Sequence, residues 1–287
     1  MTTAKHHSLA GYGIALMLGS ALLFSTAGIF TKGVAATAWQ VIFWRAIFSA
    51  VLTFGTIAAR QRWAFEVNAM GKRGLLAAII GATGTAAFLS AFKLTSVANV
   101  ALIYSTTPLM AALLAWLALQ ERPALPVLGG AIIGVVGIGI IMGGSLGQVS
   151  LGGDLLALVM SVALALLFVL YRAWPQTPSA GPTALSSVLL VPLAWTMTDP
   201  LAVPLGEVAI LAGFGLVFAL ASVMMFEGAK YLPSGQTGLL STSETPFAIL
   251  LAWLVLAELP GMATAAGGAL VVVGVLIGTL APPSKTG

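Results

Sequence analysis

LLAWLALQERP at residues 113–123 and LLAWLVLAELP at residues 250–260 are one phrase written twice, identical at eight of eleven positions and offset by 137 residues. A Thr-Pro pair precedes each copy, Thr107-Pro108 and Thr245-Pro246, inside an apolar stretch long enough to cross a membrane. The phrase therefore predicts a duplicated membrane protein with one proline-interrupted helix in each half, an arrangement that points toward transport.

Composition agrees. The chain is 59% hydrophobic and 7% charged, with a mean hydropathy of +1.06, whereas soluble domains carry about 25% charge. A helix needs roughly 20 apolar residues to cross the hydrocarbon core. Runs of that kind lie near 11–31, 37–59, 74–94, 98–119, 124–143, 152–172, 180–198, 206–231, 234–257 and 261–281. A transmembrane β-barrel would alternate in segments of about 10 residues, and this chain does not. The first run follows Lys5, His6 and His7 but is too long for the core of a cleaved signal peptide, so it reads as the first helix. The expected fold class is an all-α integral membrane protein of ten transmembrane helices.

Charge sets the orientation. With a cytoplasmic N-terminus, Lys5, Arg60, Arg62, Lys72, Arg73, Arg122, Arg172, Lys230 and Lys285 fall inside, and only Lys32 and Lys93 fall in outer loops. That satisfies the positive-inside rule and leaves both termini cytoplasmic. The sequence pI of about 9.6 thus reports topology and gives no reason to expect nucleic acid. Five helices per half force the halves into opposite orientations. The connection after helix 2 carries Arg60, Arg62, Lys72 and Arg73, while its counterpart after helix 7 carries Asp199 and Glu207 and no Lys or Arg. The expected organisation is a tail at 1–10, a five-helix repeat at 11–147, a second, inverted five-helix repeat at 148–281, and a tail at 282–287. In such carriers the substrate site lies at the repeat interface near the midplane. Trp63 and Phe65 among the charges of residues 60–73 suit a segment lying in the headgroup region. Pro175, Pro178 and Pro182 mark a connecting loop between helices 6 and 7, with a hinge as the alternative.

Pro108 and Pro246 fall about 15–18 Å along their helices by the helical rise, near the midplane. Each removes a backbone bond, so groups around Tyr104 and Thr242 are freed either to bind a ligand or to permit a bend. Arg45, about 12 Å into helix 2, and Glu244, about 15 Å into helix 9, are the deepest ionisable groups. A guanidinium forks onto a carboxylate and a glutamate accepts from an ammonium, so together they would suit a zwitterion such as an amino acid. The alternatives are a salt bridge between them, or an Arg45 that snorkels outward. Glu244 could also carry a coupling proton. Trp44, Phe88, Asn99, Tyr104, Thr107, Tyr171, Ser241 and Ser243 are candidate pocket walls, with core packing the competing role for each aromatic. Glu227 and Lys230, three apart, read as a structural pair. Gly130-x3-Gly134, Gly139-x3-Gly143 and Gly274-x3-Gly278 allow close helix approach, within the bundle or between copies.

TPLMAALLAWLALQERP (107–123) and ETPFAILLAWLVLAELP (244–260) resemble the signature of the drug/metabolite transporter superfamily in its EamA-type ten-helix form. AFKLTSVANVALIYSTTP (91–108) and GAKYLPSGQTGLLSTSETP (228–246) are similar to that family's junction between the third and fourth helices. The resemblance covers nearly the whole chain. It implies two inverted repeats around a cavity lined by helices 1–4 and 6–9, with helices 5 and 10 to the side. Glu121 and Glu258 match the family's glutamate at the end of the phrase, which implies helix termination or gating contacts. Family members move many substrates, and this chain is most similar to bacterial metabolite exporters, including the YddG-like amino-acid exporters. That implies a bacterial inner-membrane exporter of amphipathic or zwitterionic metabolites; the expected partners are the substrate, the lipid bilayer and, for coupling, protons, and the expected state is a monomer.

No cofactor or metal is expected. Both histidines lie in the N-terminal tail, and Asp154 and Asp199 sit at helix ends, which disfavours intramembrane zinc or aspartyl catalysis. A serine hydrolase would lack a histidine base. A channel or scaffold remains as the alternative outside the transporter class.

Overall fold

The structure, a computed structural model, describes residues 2–26, 30, 34–94, 100, 103–142, 151–256 and 262–279. Among them the chain is all-helical: α1 (Thr2–Ser25), α2 (Ala38–Ala59), α3 (Gly71–Leu94), α4 (Thr107–Leu119), α5 (Leu125–Met142), α6 (Leu151–Ala173), α7 (Ala180–Met197), α8 (Leu205–Ala229), α9 (Ser234–Ser241), α10 (Glu244–Leu256) and α11 (Met262–Thr279). Four of these, α2, α6, α7 and α8, are long and apolar enough to cross a membrane by length and composition, and α4 with parts of α1, α5 and α11 form shorter apolar helices. The expected ninth run is not one helix. A turn at Thr242 and Ser243 divides it into α9 and α10, as a turn at Ser105 and Thr106 precedes α4.

Local chemistry accounts for the boundaries. Thr37 caps α2 in a reciprocal box: its hydroxyl accepts from the Gln40 N–H, and the Gln40 side chain accepts from the Thr37 N–H. At the other end of α4, Gln120 takes the left-handed conformation (φ 57°) and its N–H bonds the carbonyls of Ala115 and Trp116. The α2–α3 connection forms one helical turn at Trp63–Glu66 and a 3-10 turn at Asn68–Met70. Its Trp63 and Phe65 are exposed.

The principal pairings are α5 with α11, α3 with α6, α2 with α7, α1 with α8, α2 with α8, α3 with α7 and α4 with α9. Taking α9–α10 as one interrupted element and α11 as the tenth, exchanging elements five apart sends α1–α8 onto α6–α3 and α2–α8 onto α7–α3. The same exchange leaves α2–α7, α4–α9 and α5–α11 unchanged. The packing is therefore twofold in pattern, as a duplicated sequence requires. The helices α5 and α11 make their main contacts with each other and with α4, α9 and α10. Gly130 and Gly274 meet backbone to backbone there, and a Cβ on Gly137 would stand 2.6 Å from the Gly267 carbonyl. Gly130, Gly274 and Gly278 of the small-residue pairs thus serve packing inside the bundle, whereas Gly134 faces open space and Gly143 lies outside the described residues.

Polar ties gather the connections at two ends. At one, Arg172 Nε meets Glu121 Oε1 at 2.7 Å, Glu66 Oε2 accepts from the N–H groups of Ala180 and Gly181, and Ser179 and Lys230 both donate to Glu227 Oε1. At the other, Glu207 accepts from the Ala36 N–H, Gln40 donates to the Asp199 carbonyl, and Trp44 Nε1 donates to the Pro200 carbonyl.

Candidate functional site

The two proline steps meet. Gly238 of α9 lies against Pro108 at the start of α4, so close that an added Cβ would be 2.8 Å from the Pro108 Cα. Around that crossing Ser241 Oγ donates to the Gly238 carbonyl at 2.7 Å, and the side chains of Tyr104 and Glu244 lie nearby. Residues from both halves thus converge where each helix is broken. Glu244 is half-buried and opens α10, where unpaired N–H groups favour a carboxylate.

The backbone groups expected to be free are not open. Thr107 Oγ1 donates to the Tyr104 carbonyl at 2.6 Å, taking the bond that Pro108 cannot make. Thr106 Oγ1 does the same for Ile103, and in the second half the Thr242 carbonyl accepts from the Thr245 N–H at 3.1 Å. Hydroxyls and neighbouring amides thus meet the carbonyls locally, at the turns that interrupt the two elements. Hydrogen-bonding capacity at the junction rests with side chains.

Arg45 lies deep in α2, 3% exposed, with its guanidinium carbon 3.7 Å from the centroid of the Phe218 ring on α8. The close approach has a cause. A Cβ on Gly215 would stand 2.7 Å from the Phe48 Cβ and 2.9 Å from the Arg45 carbonyl, so α2 and α8 touch backbone to backbone one turn before Phe218. Phe24 of α1 meets the same ring edge-on at 5.5 Å. Both terminal nitrogens of Arg45 are buried without a hydrogen-bond partner among the described residues. A desolvated cation–π contact contributes about 2 kcal/mol, comparable with the roughly 2.5–3.5 kcal/mol cost of an arginine at mid-helix. It does nothing for the nitrogen donors, each of which costs about 1–3 kcal/mol while unpaired. No ion pair joins Arg45 to Glu244, and Arg45 does not snorkel to the surface. Among the described residues no side chain or carbonyl supplies the guanidinium with an acceptor.

The other candidates divide. Trp44 stacks on Phe48 at 6.0 Å, with its indole N–H spent on Pro200. Phe88 packs with Tyr104 in the cluster that includes Ala87, Ala91 and Met160. Thr107 and Ser243 are buried at the bends. Tyr171 is fully buried apart from the junction, stacked on Phe226 at 4.9 Å with its hydroxyl toward the Pro178 carbonyl at 3.4 Å. It belongs to the charged end, beside Lys230 and Glu227. Glu121 is there too, joined to Arg172, and Pro246 stands in the first turn of α10. Asn99 and Glu258 lie outside the described residues. Sequence reasoning missed Phe218, Gly215 and Gly238, since an apolar ring or a glycine in an apolar helix carries no mark of its neighbour in the other half. It also missed Glu66 and Ser179, polar residues of connections, whose partners are distant in sequence.

The sequence profile of the EamA-like transporter family matches the chain twice, over residues 11–143 and 151–280. No curated protein matches it. A solved crystal structure superposes with a TM-score of 0.78 over 93% of this chain and 96% of its own, at 20% identity, which establishes a shared fold.

Proposed function

The chain belongs to the EamA-like transporter family and is a multi-pass membrane protein, and from that premise we propose that it exports small carboxylate-bearing amphipathic or zwitterionic metabolites, amino acids foremost. The observation that carries this reading is the Arg45 guanidinium, buried with both terminal nitrogens unpartnered among the described residues. A carboxylate can take both in a bidentate fork, and Phe218 holds the guanidinium from one face. Glu244, with Tyr104 and Ser241 beside it, supplies an acceptor for an ammonium group or a site for a coupling proton. Because Arg45 and Glu244 are not joined, substrate binding need not first break an internal pair.

The proposed architecture is ten spans in two inverted repeats, divided near residue 148, in a bacterial inner membrane with both termini cytoplasmic. The exchange pattern of helix contacts supports the repeats, and the run of Arg60, Arg62, Lys72 and Arg73 in one connection supports the orientation. Alternating access would loosen one set of end contacts while the other holds. The contacts suit that role, since partly exposed ion pairs such as Glu121–Arg172 contribute only about 0–1 kcal/mol and can exchange.

Flux of labelled amino acids in proteoliposomes tests the reading, with Arg45→Ala, Arg45→Lys and Glu244→Gln beside the wild type. Saturable flux that Arg45→Ala abolishes and Arg45→Lys restores only in part is the expected result. Flux of every amino acid indifferent to Arg45 overturns the carboxylate assignment, and flux rising linearly with concentration identifies a channel. An imposed pH gradient that drives flux in wild type but not in Glu244→Gln assigns the coupling proton to Glu244.

A further inference from the structure

An open groove of about 330 Å³ runs along the seam between α3 and α6, away from Arg45 and the proline junction. Ile79, Ile80 and Thr83 form one wall, and Val159, Val162 and Leu166 the other. The volume is in the range of small-ligand sites, about 300–1,000 Å³, yet the lining is apolar and opens to the side of the bundle. Glycine sets its depth: Gly84 faces Ala163, with 3.1 Å between its missing Cβ and the Ala163 Cβ.

The groove has a charged mouth. Arg73, at the start of α3, is exposed and lies over the ring of Trp174, just past the end of α6, at 4.8 Å. Arg73 and Ile80 are seven residues apart and share a helix face, which puts the guanidinium about 10 Å above the apolar lining. Lys72 is beside it. Arg60 and Arg62 belong to the same connection, where Trp63 and Phe65 are exposed at 45% and 41%. Arg73 makes no ion pair among the described residues, whereas Arg172 nearby is engaged by Glu121.

We propose that the α3–α6 seam binds an anionic phospholipid, with one acyl chain in the groove of Ile80, Thr83, Val162 and Leu166 and the phosphate on Arg73 beside Trp174. Charge complementarity selects this occupant. Basic pockets between helices on the cytoplasmic side hold anionic headgroups, and interfacial tryptophan sits at headgroup depth. A purely hydrophobic ligand would leave Arg73 without a role, and a soluble phosphate would leave the groove without one.

Native mass spectrometry of the detergent-purified full chain tests this with phosphatidylglycerol and phosphatidylcholine of identical acyl chains. Retention of phosphatidylglycerol over phosphatidylcholine by about fivefold or more is expected, the factor one basic side chain contributes near an anionic surface. Arg73→Ala should remove that preference, and Thr83→Trp, which fills the groove from an exposed position, should lower retention of both lipids alike. Glycerol phosphate, which has the headgroup chemistry and no chains, should displace neither. Should Arg73→Ala purify poorly, Arg73→Gln gives the same comparison. Equal retention of the two lipids by the wild type, a preference that survives loss of Arg73, or binding unaffected by Thr83→Trp overturns the proposal. None of these outcomes depends on whether amino acids are transported.

Discussion

Gly238 and Pro108 interlock: the α-carbon of Gly238 lies against the proline at which the first half's helix is broken, so the second half of the duplication seats the first half's bend. A methyl group on Gly238 would stand 2.8 Å from the Pro108 Cα and 3.3 Å from its nitrogen, both backbone atoms that cannot move alone. Gly238→Ala is therefore expected to cost about 1–3 kcal/mol by overpacking, read as a lower Tm in detergent. Gly134, in α5, has open space around its missing Cβ. Gly134→Ala should match or exceed wild-type stability by about 0.5–1 kcal/mol, because alanine is the better helix former. Equal effects at the two glycines would refute the interlock.

Arg45 presents a trade between stability and function. Its terminal nitrogens are buried and unpartnered, so an apolar residue of similar length should relieve a cost. Arg45→Met is expected to leave Tm unchanged or raise it, because removing an unpaired buried polar group can be neutral or stabilising. The same variant should lose about 10- to 100-fold in kcat/KM for a carboxylate substrate, the equivalent of roughly 1.5–3 kcal/mol for charged hydrogen bonds. A large fall in Tm would mean instead that Arg45 serves the fold.

Glu121 and Arg172 tie the end of α4 to the end of α6, and the sequence contains no cysteine. A single cysteine at Ser243, buried at the second bend, would report access without background. Arg172→Ala is expected to speed thiol modification at Ser243→Cys, because the charged end loses one of its ties. A Glu121→Ala, Arg172→Ala double-mutant cycle should give a coupling of about 0.2–1 kcal/mol, as for other partly exposed pairs. Labelling that is unchanged by Arg172→Ala would show that this contact does not gate access.

Hydropathy and the repeated phrase made the helices and the bends legible, because both are properties of a single stretch of chain. The proline steps at Pro108 and Pro246 announced where helices break, and the Gly-x3-Gly spacing marked α5 and α11 for close approach without naming their partners. What the steps do was less legible. Thr107 and Thr245 close the gaps that the prolines open, and whether a carbonyl is taken up locally depends on rotamer and turn geometry rather than composition. Arg45 was conspicuous as a lone cation in an apolar run. Its ring partner Phe218 was not, since 173 residues separate them in sequence and nothing in an apolar helix marks which of its rings will meet a charge.

Glu66 illustrates the same limit at the charged end. Its carboxylate oxygen accepts from the N–H groups of Ala180 and Gly181 at 3.1 and 3.2 Å, occupying the first turn of α7. Gly181 also packs against the Glu66 backbone carbonyl so tightly that no side chain fits. Charge-assisted bonds at a helix N-terminus gain from the aligned peptide dipoles, about 0.3–1 kcal/mol and up to about 2 kcal/mol when partly buried. With Glu66 only 5% exposed, the upper part of that range applies. Glu66→Ala is expected to cost about 2 kcal/mol, because it also leaves one buried and one part-buried N–H group unpaired, and Glu66→Gln, which keeps an acceptor but not the charge, about half as much. Thermal unfolding of the two variants in the same detergent separates the contributions. Equal losses would mean that the charge rather than hydrogen-bond acceptance matters there, and no loss from either would mean that water replaces the carboxylate and that the α2–α3 connection is not fastened to α7 through this side chain.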